Sequence, residues 1–183
     1  HRKMIHRHYH AAKMCKDLYH KQQSVEIQHH NGDTYLVIEG SDTVSDWMYN
    51  MMCLKFDNIH LGFGMYCDSC INKYDIDEIT RNNKNIVVCG HSLGAVAAIL
   101  LLHRVNIDNI KEIVVFGCPR FCDASYLDEI QSVLSRNDIS LHAYVNGDDI
   151  ITKLPPKGLG YVALNDVYQL HNSPPKYSPF EDH

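Results

Sequence analysis

The sequence has no long run of apolar residues and no surplus of basic ones. Its longest apolar run, residues 95–102, is far shorter than the roughly 20 residues of a membrane-spanning helix. Lys and Arg number 17 against 22 Asp and Glu, giving a formal net charge of −5, and no Lys/Arg stripe marks any segment. Neither a transmembrane helix nor binding to nucleic acid is therefore expected.

Repeats, linkers and shifts in composition are missing too. The 183 residues are therefore expected to form a single domain, residues 1–183. Hydrophobic content of 45% and charged content of 21% are typical of a globular protein with a substantial core. No signal peptide is visible, but position 1 is His, so we expect the natural protein to extend beyond both ends of this chain.

Cysteine occurs in an odd number, at positions 15, 53, 67, 70, 89, 118 and 122. At least one thiol is therefore unpaired within the chain, which favours a reducing compartment. Cys67 and Cys70 form a C-x-x-C pair, but no second pair accompanies it, so a zinc or redox site is the less favoured interpretation. Cys89 lies in an apolar segment and is expected to be a small buried side chain.

Histidine is abundant, with 13 residues. His6, His8 and His10 lie close together in a segment of helical periodicity, where residues four apart share a face. Such a face can hold a metal ion, but an exposed polar face is the favoured interpretation.

Helical and β-rich segments alternate along the chain. This pattern predicts an α/β fold with a mostly parallel sheet flanked by helices. The predicted helices are 4–21, 65–82, 93–105 and 124–136, and the predicted strands are 25–29, 35–38, 59–63, 86–89, 113–116, 141–145, 160–164 and 167–170. The Asn31-Gly32 pair predicts a hairpin of the first two strands, and the last two strands are expected to form another.

One segment carries a specific catalytic signal. A β-branched strand runs into Gly90-His91-Ser92-Leu93-Gly94, and an apolar helix follows. This G-x-S-x-G between a strand and a helix is typical of a nucleophile elbow. The sharp turn forces Ser92 into a strained backbone conformation, and a Cβ atom at Gly90 or Gly94 would clash with the neighbouring strand or helix. The strain is expected to lift the Ser92 hydroxyl clear of the sheet, at a helix N-terminus that favours negative charge.

A serine nucleophile needs a base and an orienting acid, which follow it in the order Ser, Asp, His in an α/β-hydrolase. Beyond the next strands, the only histidines are His171 and His183. Asp148 and Asp149 follow a predicted strand, and strand ends of open parallel sheets are where sites are built. The residues alone leave both choices open.

Five separate motifs resemble those of class 3 lipases, the family of the filamentous-fungal triacylglycerol lipases and their plant and viral relatives. They are Ile38-Glu39-Gly40-Ser41 with Ser45-Asp46-Trp47, His60-Leu61-Gly62-Phe63, Gly90-His91-Ser92-Leu93-Gly94-Ala95, Phe116-Gly117-Cys118-Pro119-Arg120, and Asp149-Ile150-Ile151-Thr152-Lys153-Leu154-Pro155-Pro156. The motifs follow the family's order over most of the chain. This resemblance implies an α/β-hydrolase fold and serine catalysis that needs no cofactor and no metal.

The resemblance also implies the remaining catalytic residues. Asp149 is the acid, because it directly precedes the Ile-Ile of its motif, and Asp148 is the alternative. His183 is the base, because the family carries Asp-His near its C-terminus and Asp182-His183 fits, with His171 as the alternative.

Two backbone N–H groups are implied as the oxyanion hole, those of Leu93 and Ser41. Glu39 departs from the family, which usually has Arg before this glycine, so salt bridging near the oxyanion loop is expected to differ. Thr152 replaces a usual Pro, which is expected to loosen its loop, and His91 is interpreted as structural.

A further apolar face follows the oxyanion loop. Its members are Val44, Trp47, Met48, Met51 and Met52, spaced as on one side of a short helix. The fungal members of the family carry a lid helix at this place, which implies transient contact with a membrane or lipid interface. A surface helix packed on the core explains the same spacing, and periodicity does not separate the two.

The sequence thus predicts a carboxylic ester hydrolase that acts on lipid esters through an acyl-enzyme on Ser92. A phospholipase A1-type activity is the neighbouring alternative. A lipase-like lipid-binding protein without turnover, and an acyltransferase or thioesterase on the same scaffold, also fit the pattern.

Overall fold

A computed structural model describes residues 2–21, 25–39, 59–145 and 171–172. Within them, six strands form one sheet in the order β1-β2-β3-β4-β5-β6. The strands are β1 (Val25–His30), β2 (Asp33–Ile38), β3 (Ile86–His91), β4 (Ile110–Phe116), β5 (Ser140–Val145) and β6 (His171–Asn172). β1 pairs antiparallel with β2, and every later pair is parallel. The predicted mostly parallel sheet is confirmed.

Helices cover both faces of this sheet. They are α1 (Arg2–Lys21), α2 (Ile59–Tyr74), α3 (Ile76–Asn82), α4 (Leu93–Leu100) and α5 (Ala124–Arg136). α4 ends earlier than predicted, and a 3₁₀ turn (Leu101–His103) continues it. None of the described helices is both long and apolar enough to cross a membrane. The predicted hairpin of 160–164 and 167–170 lies outside the described residues.

The first two strands are joined as predicted. Asn31 and Gly32 have φ angles of 50° and 83°. Two positive φ angles in a two-residue loop match the right-handed twist of the flanking strands, which explains why Asn-Gly closes this hairpin.

Side chains alternate between the two faces of the sheet. On one face, Leu36, Ile38 and Val88 join a large core with α2, α4 and α5. On the other face, Val37 and Cys89 pack against α1 in a smaller core. The central strands are therefore apolar on both sides, as the buried strands of parallel sheets are.

The predicted strand 59–63 is wrong, because these residues begin helix α2. Alternating apolar residues at 59, 61 and 63 suggest a strand when they are considered alone. The buried side chains of Phe63, Cys67 and Cys70 instead follow helical spacing, and Cys67 donates to the carbonyl of Ala97 in α4. The longer helical pattern decides the structure, since it is the one that buries a continuous face.

α1 carries a second correction. His6 is exposed as expected, but His8 is only 3% exposed and does not belong to a solvated face. It points at the sheet, where one ring nitrogen bonds Tyr144 Oη and the other lies 3.4 Å from Glu112 Oε2. The Arg7 guanidinium bonds both oxygens of Glu112, each at 3.3 Å. Although burial opposes ionisation of Glu112, the contacts with His8 and Arg7 lower its pKa to about 2.

Candidate active site

Ser92 stands between the carboxyl end of β3 and the first turn of α4. Its φ and ψ angles are 61° and −118°, a combination that residues with a Cβ atom rarely adopt. The backbone N–H of Ser92 donates to the carbonyl of Phe116 at the end of β4, at 2.9 Å, and its carbonyl accepts from Ala95 N–H at 3.0 Å. These bonds hold the strained turn that the sequence predicts.

Both glycines of the turn are required by close backbone contact. A Cβ atom on Gly90 would lie 2.3 Å from the carbonyl oxygen of Gly94. A Cβ atom on Gly94 would lie 2.1 Å from the carbonyl oxygen of Ile38, at the end of β2. Since both obstacles are backbone atoms, a side-chain movement cannot relieve either clash.

The hydroxyl of Ser92 is buried, with the residue 1% exposed, and makes no hydrogen bond within the described part of the chain. A buried hydroxyl normally has a partner. His183, the predicted base, lies outside the described residues, and His171, the alternative, is described only in its backbone.

The first turn of α4 places the backbone N–H of Leu93, one of the two predicted oxyanion donors, next to Ser92. Leu93 begins this helix, so its N–H has no helical carbonyl to bind. The helix N-terminus also favours negative charge beside the hydroxyl of Ser92. The geometry therefore suits stabilisation of an oxyanion formed at this serine.

The carboxyl end of β2 packs directly against the start of α4. Besides the Ile38 carbonyl, the Glu39 carbonyl carbon would lie 2.7 Å from a Cβ atom on Gly94. Tyr66 Oη of α2 donates to the Glu39 carbonyl oxygen. Sequence reasoning missed this role of Tyr66, because nothing local in the sequence marks which tyrosine reaches across 27 positions. Ser41, two residues past Glu39, lies outside the described residues, as do the predicted lid positions 44–52.

The parallel strands end at one edge, beside Ser92. The main chain links them there, since Gly117 N–H donates to the carbonyl of Tyr144 at 2.9 Å. Asp148 and Asp149 follow β5 but lie outside the described residues.

The register separates His171 from the serine. His91, Phe116, Tyr144 and His171 form one row across β3, β4, β5 and β6. Three inter-strand steps of about 4.8 Å place the Cα atoms of His91 and His171 about 14 Å apart. A serine and a histidine side chain do not span that separation within a hydrogen bond.

The C-x-x-C pair is part of the core. Cys67 and Cys70 are 0% and 4% exposed. Burial raises the pKa of Cys67 to about 12 and also raises the pKa of Cys70, so both remain thiols at neutral pH. A buried, protonated pair suits packing rather than redox chemistry. Cys89 is buried, as predicted.

The family model of class 3 lipases matches residues 35–159 of the chain. Among curated proteins, the secreted mono- and diacylglycerol lipase LIP1 of Malassezia globosa is 26% identical over 94 residues, which are 50% of this chain and 30% of that protein. Phospholipase A1-IIdelta of Arabidopsis thaliana is 32% identical over 97 residues, 49% of this chain and 23% of that protein. The chain thus spans less than a third of the length of these relatives.

Solved lipase structures share the fold. The Rhizomucor miehei triacylglyceride lipase matches with a TM-score of 0.62 at 16% identity, covering 93% of this chain and 80% of that one. Lipase II from Rhizopus niveus matches with a TM-score of 0.60 at 17% identity, covering 89% and 79%. The predicted α/β-hydrolase architecture is confirmed by these matches.

Proposed function

Because the chain belongs to the class 3 lipase family, we propose that it is a serine-dependent hydrolase of lipid esters that works through an acyl-enzyme on Ser92. The observation that carries this proposal is the backbone of Ser92, with φ 61° and ψ −118° at the start of α4. That conformation costs roughly 1–3 kcal/mol and persists where the surrounding structure imposes it, commonly at active sites. The 183 residues are proposed to act as one catalytic domain.

The first half of the reaction forms the acyl-enzyme. Ser92 Oγ attacks the ester carbonyl while His183 accepts its proton, and His183 then passes that proton to the departing alcohol. Asp149 orients the imidazole and stabilises its cation. His183 is preferred to His171 because the latter lies three strands from β3 in the register of the sheet. Asp149 is preferred to Asp148 by the family motif.

The oxyanion of each tetrahedral intermediate is proposed to bind the N–H groups of Leu93 and Ser41. Two observations support this pair: Leu93 begins α4, and Ser41 follows the strand end that packs against Gly94. A missing donor of this kind costs about 3 kcal/mol of transition-state stabilisation. In the second half of the reaction, water attacks the acyl-enzyme with His183 as base and releases the acid.

Acylglycerols are the proposed substrates, with mono- and diacylglycerols first because the name of the Malassezia globosa relative specifies them. Hydrolysis of phospholipids is the second candidate, favoured by the similarity to phospholipase A1-IIdelta. Residues 44–52 are proposed to contact the lipid interface during catalysis, as their apolar spacing suggests.

A substrate panel tests this proposal. The chain is assayed on mono-, di- and triacylglycerol emulsions, on phosphatidylcholine vesicles and on soluble p-nitrophenyl esters. We expect fatty acid release from acylglycerols, with higher rates above the solubility limit of the substrate. Release only from the sn-1 position of phospholipid would instead favour the phospholipase activity.

Two variants control this panel. Ser92→Ala is expected to abolish release, whereas Ser132→Ala, an exposed serine of α5, is expected to leave it unchanged. A folded wild-type chain without activity on any of these substrates would make a lipid-binding protein without turnover the better account. Ester exchange to an added alcohol, or turnover of acyl-CoA, would indicate an acyltransferase or a thioesterase.

A further inference from the structure

A buried group of two histidines and a glutamate lies on the sheet face that α1 covers. His8 comes from α1, Glu112 from β4 and His142 from β5. Among the described residues, these are the side chains whose potential ligand atoms come together as a group of three, all within 4.8 Å of one another. His8 and Glu112 are 3% and 5% exposed at their side chains, and His142 is 24% exposed.

The two imidazoles converge on one carboxylate oxygen. His8 Nε2 lies 3.4 Å from Glu112 Oε2, and His142 Nε2 lies 3.5 Å from the same atom. Ligands held tetrahedrally around zinc, at about 2.0–2.1 Å for nitrogen and oxygen, stand about 3.4 Å apart. Each imidazole nitrogen is therefore separated from the carboxylate oxygen as two zinc ligands are, and the two nitrogens lie within 4.8 Å of one another.

His8 shows the feature that an ion pair alone does not explain. Its Nε2 atom is buried, and its 3.4 Å contact with Glu112 Oε2 does not have the geometry of a full hydrogen bond. Buried nitrogens in folded proteins normally have a well-formed partner. A lone pair on that nitrogen, directed at a cation shared with Glu112, satisfies the atom.

The other ring nitrogen of His8 is held in the manner of a metal ligand. His8 Nδ1 bonds Tyr144 Oη, which fixes the orientation of the ring. Histidines that bind metals usually have their second nitrogen anchored in this way. Two imidazoles and a carboxylate are ligands that zinc commonly takes.

We propose that His8, Glu112 and His142 form a zinc site that fastens α1 to the sheet. The site is distinct from the catalytic centre. Glu112 lies four residues before Phe116 on β4, which is about 13 Å along the strand. Phe116 pairs with His91, the residue before Ser92. The ion therefore does not touch the ester, and its role is structural. The Arg7 guanidinium, 3.3 Å from Glu112 Oε2, opposes a divalent cation, so the ion is expected to exchange rather than be held permanently.

Zinc titration of the chelator-treated chain tests the proposal. With a reductant present and a chromogenic chelator as competitor, we expect one Zn²⁺ per chain and a melting temperature that rises by a few degrees in excess zinc. Co²⁺ is expected to give the visible bands of a tetrahedral site with nitrogen and oxygen ligands. A thiolate-to-cobalt charge-transfer band in place of these would assign the ion to cysteines and overturn the proposal.

Three variants sharpen the test. His142→Gln removes a half-buried ligand and is expected to abolish the site, whereas His103→Gln, an exposed histidine elsewhere, is expected to bind zinc as the wild type does. Tyr144→Phe keeps its ring against Phe116 and is expected to weaken binding by about 10-fold or more. Unchanged affinity in folded His142→Gln would overturn the proposal. If that variant does not fold, the wild-type stoichiometry and cobalt spectrum decide it.

Discussion

At the scale of single residues, Ser92 holds a backbone conformation that an isolated peptide would rarely adopt. Its positive φ angle of 61° is maintained by hydrogen bonds to Phe116 and Ala95 and by the approach of two backbones at Gly90 and Gly94. The strain keeps the hydroxyl at the start of α4, where the helix N-terminus would stabilise the negative charge that develops in the proposed ester attack.

The two glycine contacts give the first prediction. Gly94→Ala puts a Cβ atom 2.1 Å from a carbonyl oxygen, so we expect a loss of at least about 3 kcal/mol in unfolding free energy. Gly64→Ala is the matched control: its Cβ meets only the end of the Arg104 side chain, at 3.1 Å, and alanine favours the helix by about 1 kcal/mol. Urea unfolding measures both. Equal stability of the two variants would mean that the elbow is not packed as described.

The base gives the second prediction. His183→Ala is expected to lower kcat by about 10⁴–10⁶-fold, because proton transfer to and from Ser92 is lost. His171→Ala is expected to change kcat less than tenfold, since the register of the sheet sets its Cα atom about 14 Å from that of His91, beside Ser92. Steady-state hydrolysis of a soluble ester measures kcat for both variants. A larger loss of kcat in His171→Ala than in His183→Ala would make His171 the base.

The acid is tested in the same assay. Asp149→Asn is expected to lower kcat by about 10³–10⁴-fold, because the imidazole loses its orienting partner. Asp148→Asn provides the neighbouring control and is expected to retain most activity. A larger loss of kcat in Asp148→Asn than in Asp149→Asn would identify Asp148 as the acid.

At the scale of elements, the sequence predicted those segments whose pattern is local. Residues 124–136 form the predicted helix, and the hairpin at Asn31-Gly32 forms as its turn chemistry requires. Residues 59–63 were predicted wrongly, because five residues alternate by chance within a helix of 16. The helical spacing of the buried residues Phe63, Cys67 and Cys70 separates the two interpretations, and their burial depends on contacts that are not local.

Helix α2 gives the third prediction. In a strand, residues 63 and 65 would share a face, whereas the helix buries Phe63 and leaves Met65 62% exposed. Phe63→Ala should therefore cost about 3–5 kcal/mol of unfolding free energy, and Met65→Ala less than about 0.5 kcal/mol. Chemical denaturation measures both. Similar losses in the two variants would favour the strand.

At the scale of the whole molecule, the sequence reveals the family better than it reveals long-range contacts. The five motifs are short and can be recognised without the fold. The convergence of His8, Glu112 and His142 depends on the docking of α1, more than 100 positions before Glu112, and on the register of β4 and β5, which brings together residues 30 positions apart. Neighbouring residues do not encode such a register, and for that reason His8 was expected on an exposed face.

The buried thiols give the fourth prediction, which concerns global stability. Burial raises the pKa of Cys67 and of Cys122 to about 12, whereas in the unfolded chain thiols ionise near pH 8.5. The unfolded state therefore binds fewer protons above pH 8.5, and stability falls there by up to about 1.4 kcal/mol per pH unit for each such thiol. Urea unfolding between pH 7.5 and 9.5 with a reductant measures this loss. Cys67→Ala should reduce the slope of unfolding free energy against pH. An unfolding free energy of the wild type that does not change over this pH range would contradict the burial of these thiols.

Covalent labelling by a fluorophosphonate, followed by intact mass and peptide mapping, tests most directly whether Ser92 is the nucleophile. Mixed detergent micelles give the probe access to the buried hydroxyl. We expect one adduct per chain, on Ser92, absent from Ser92→Ala and present in Ser132→Ala. No adduct on a folded chain, or an adduct that persists in Ser92→Ala, would contradict the assignment of Ser92 as the nucleophile.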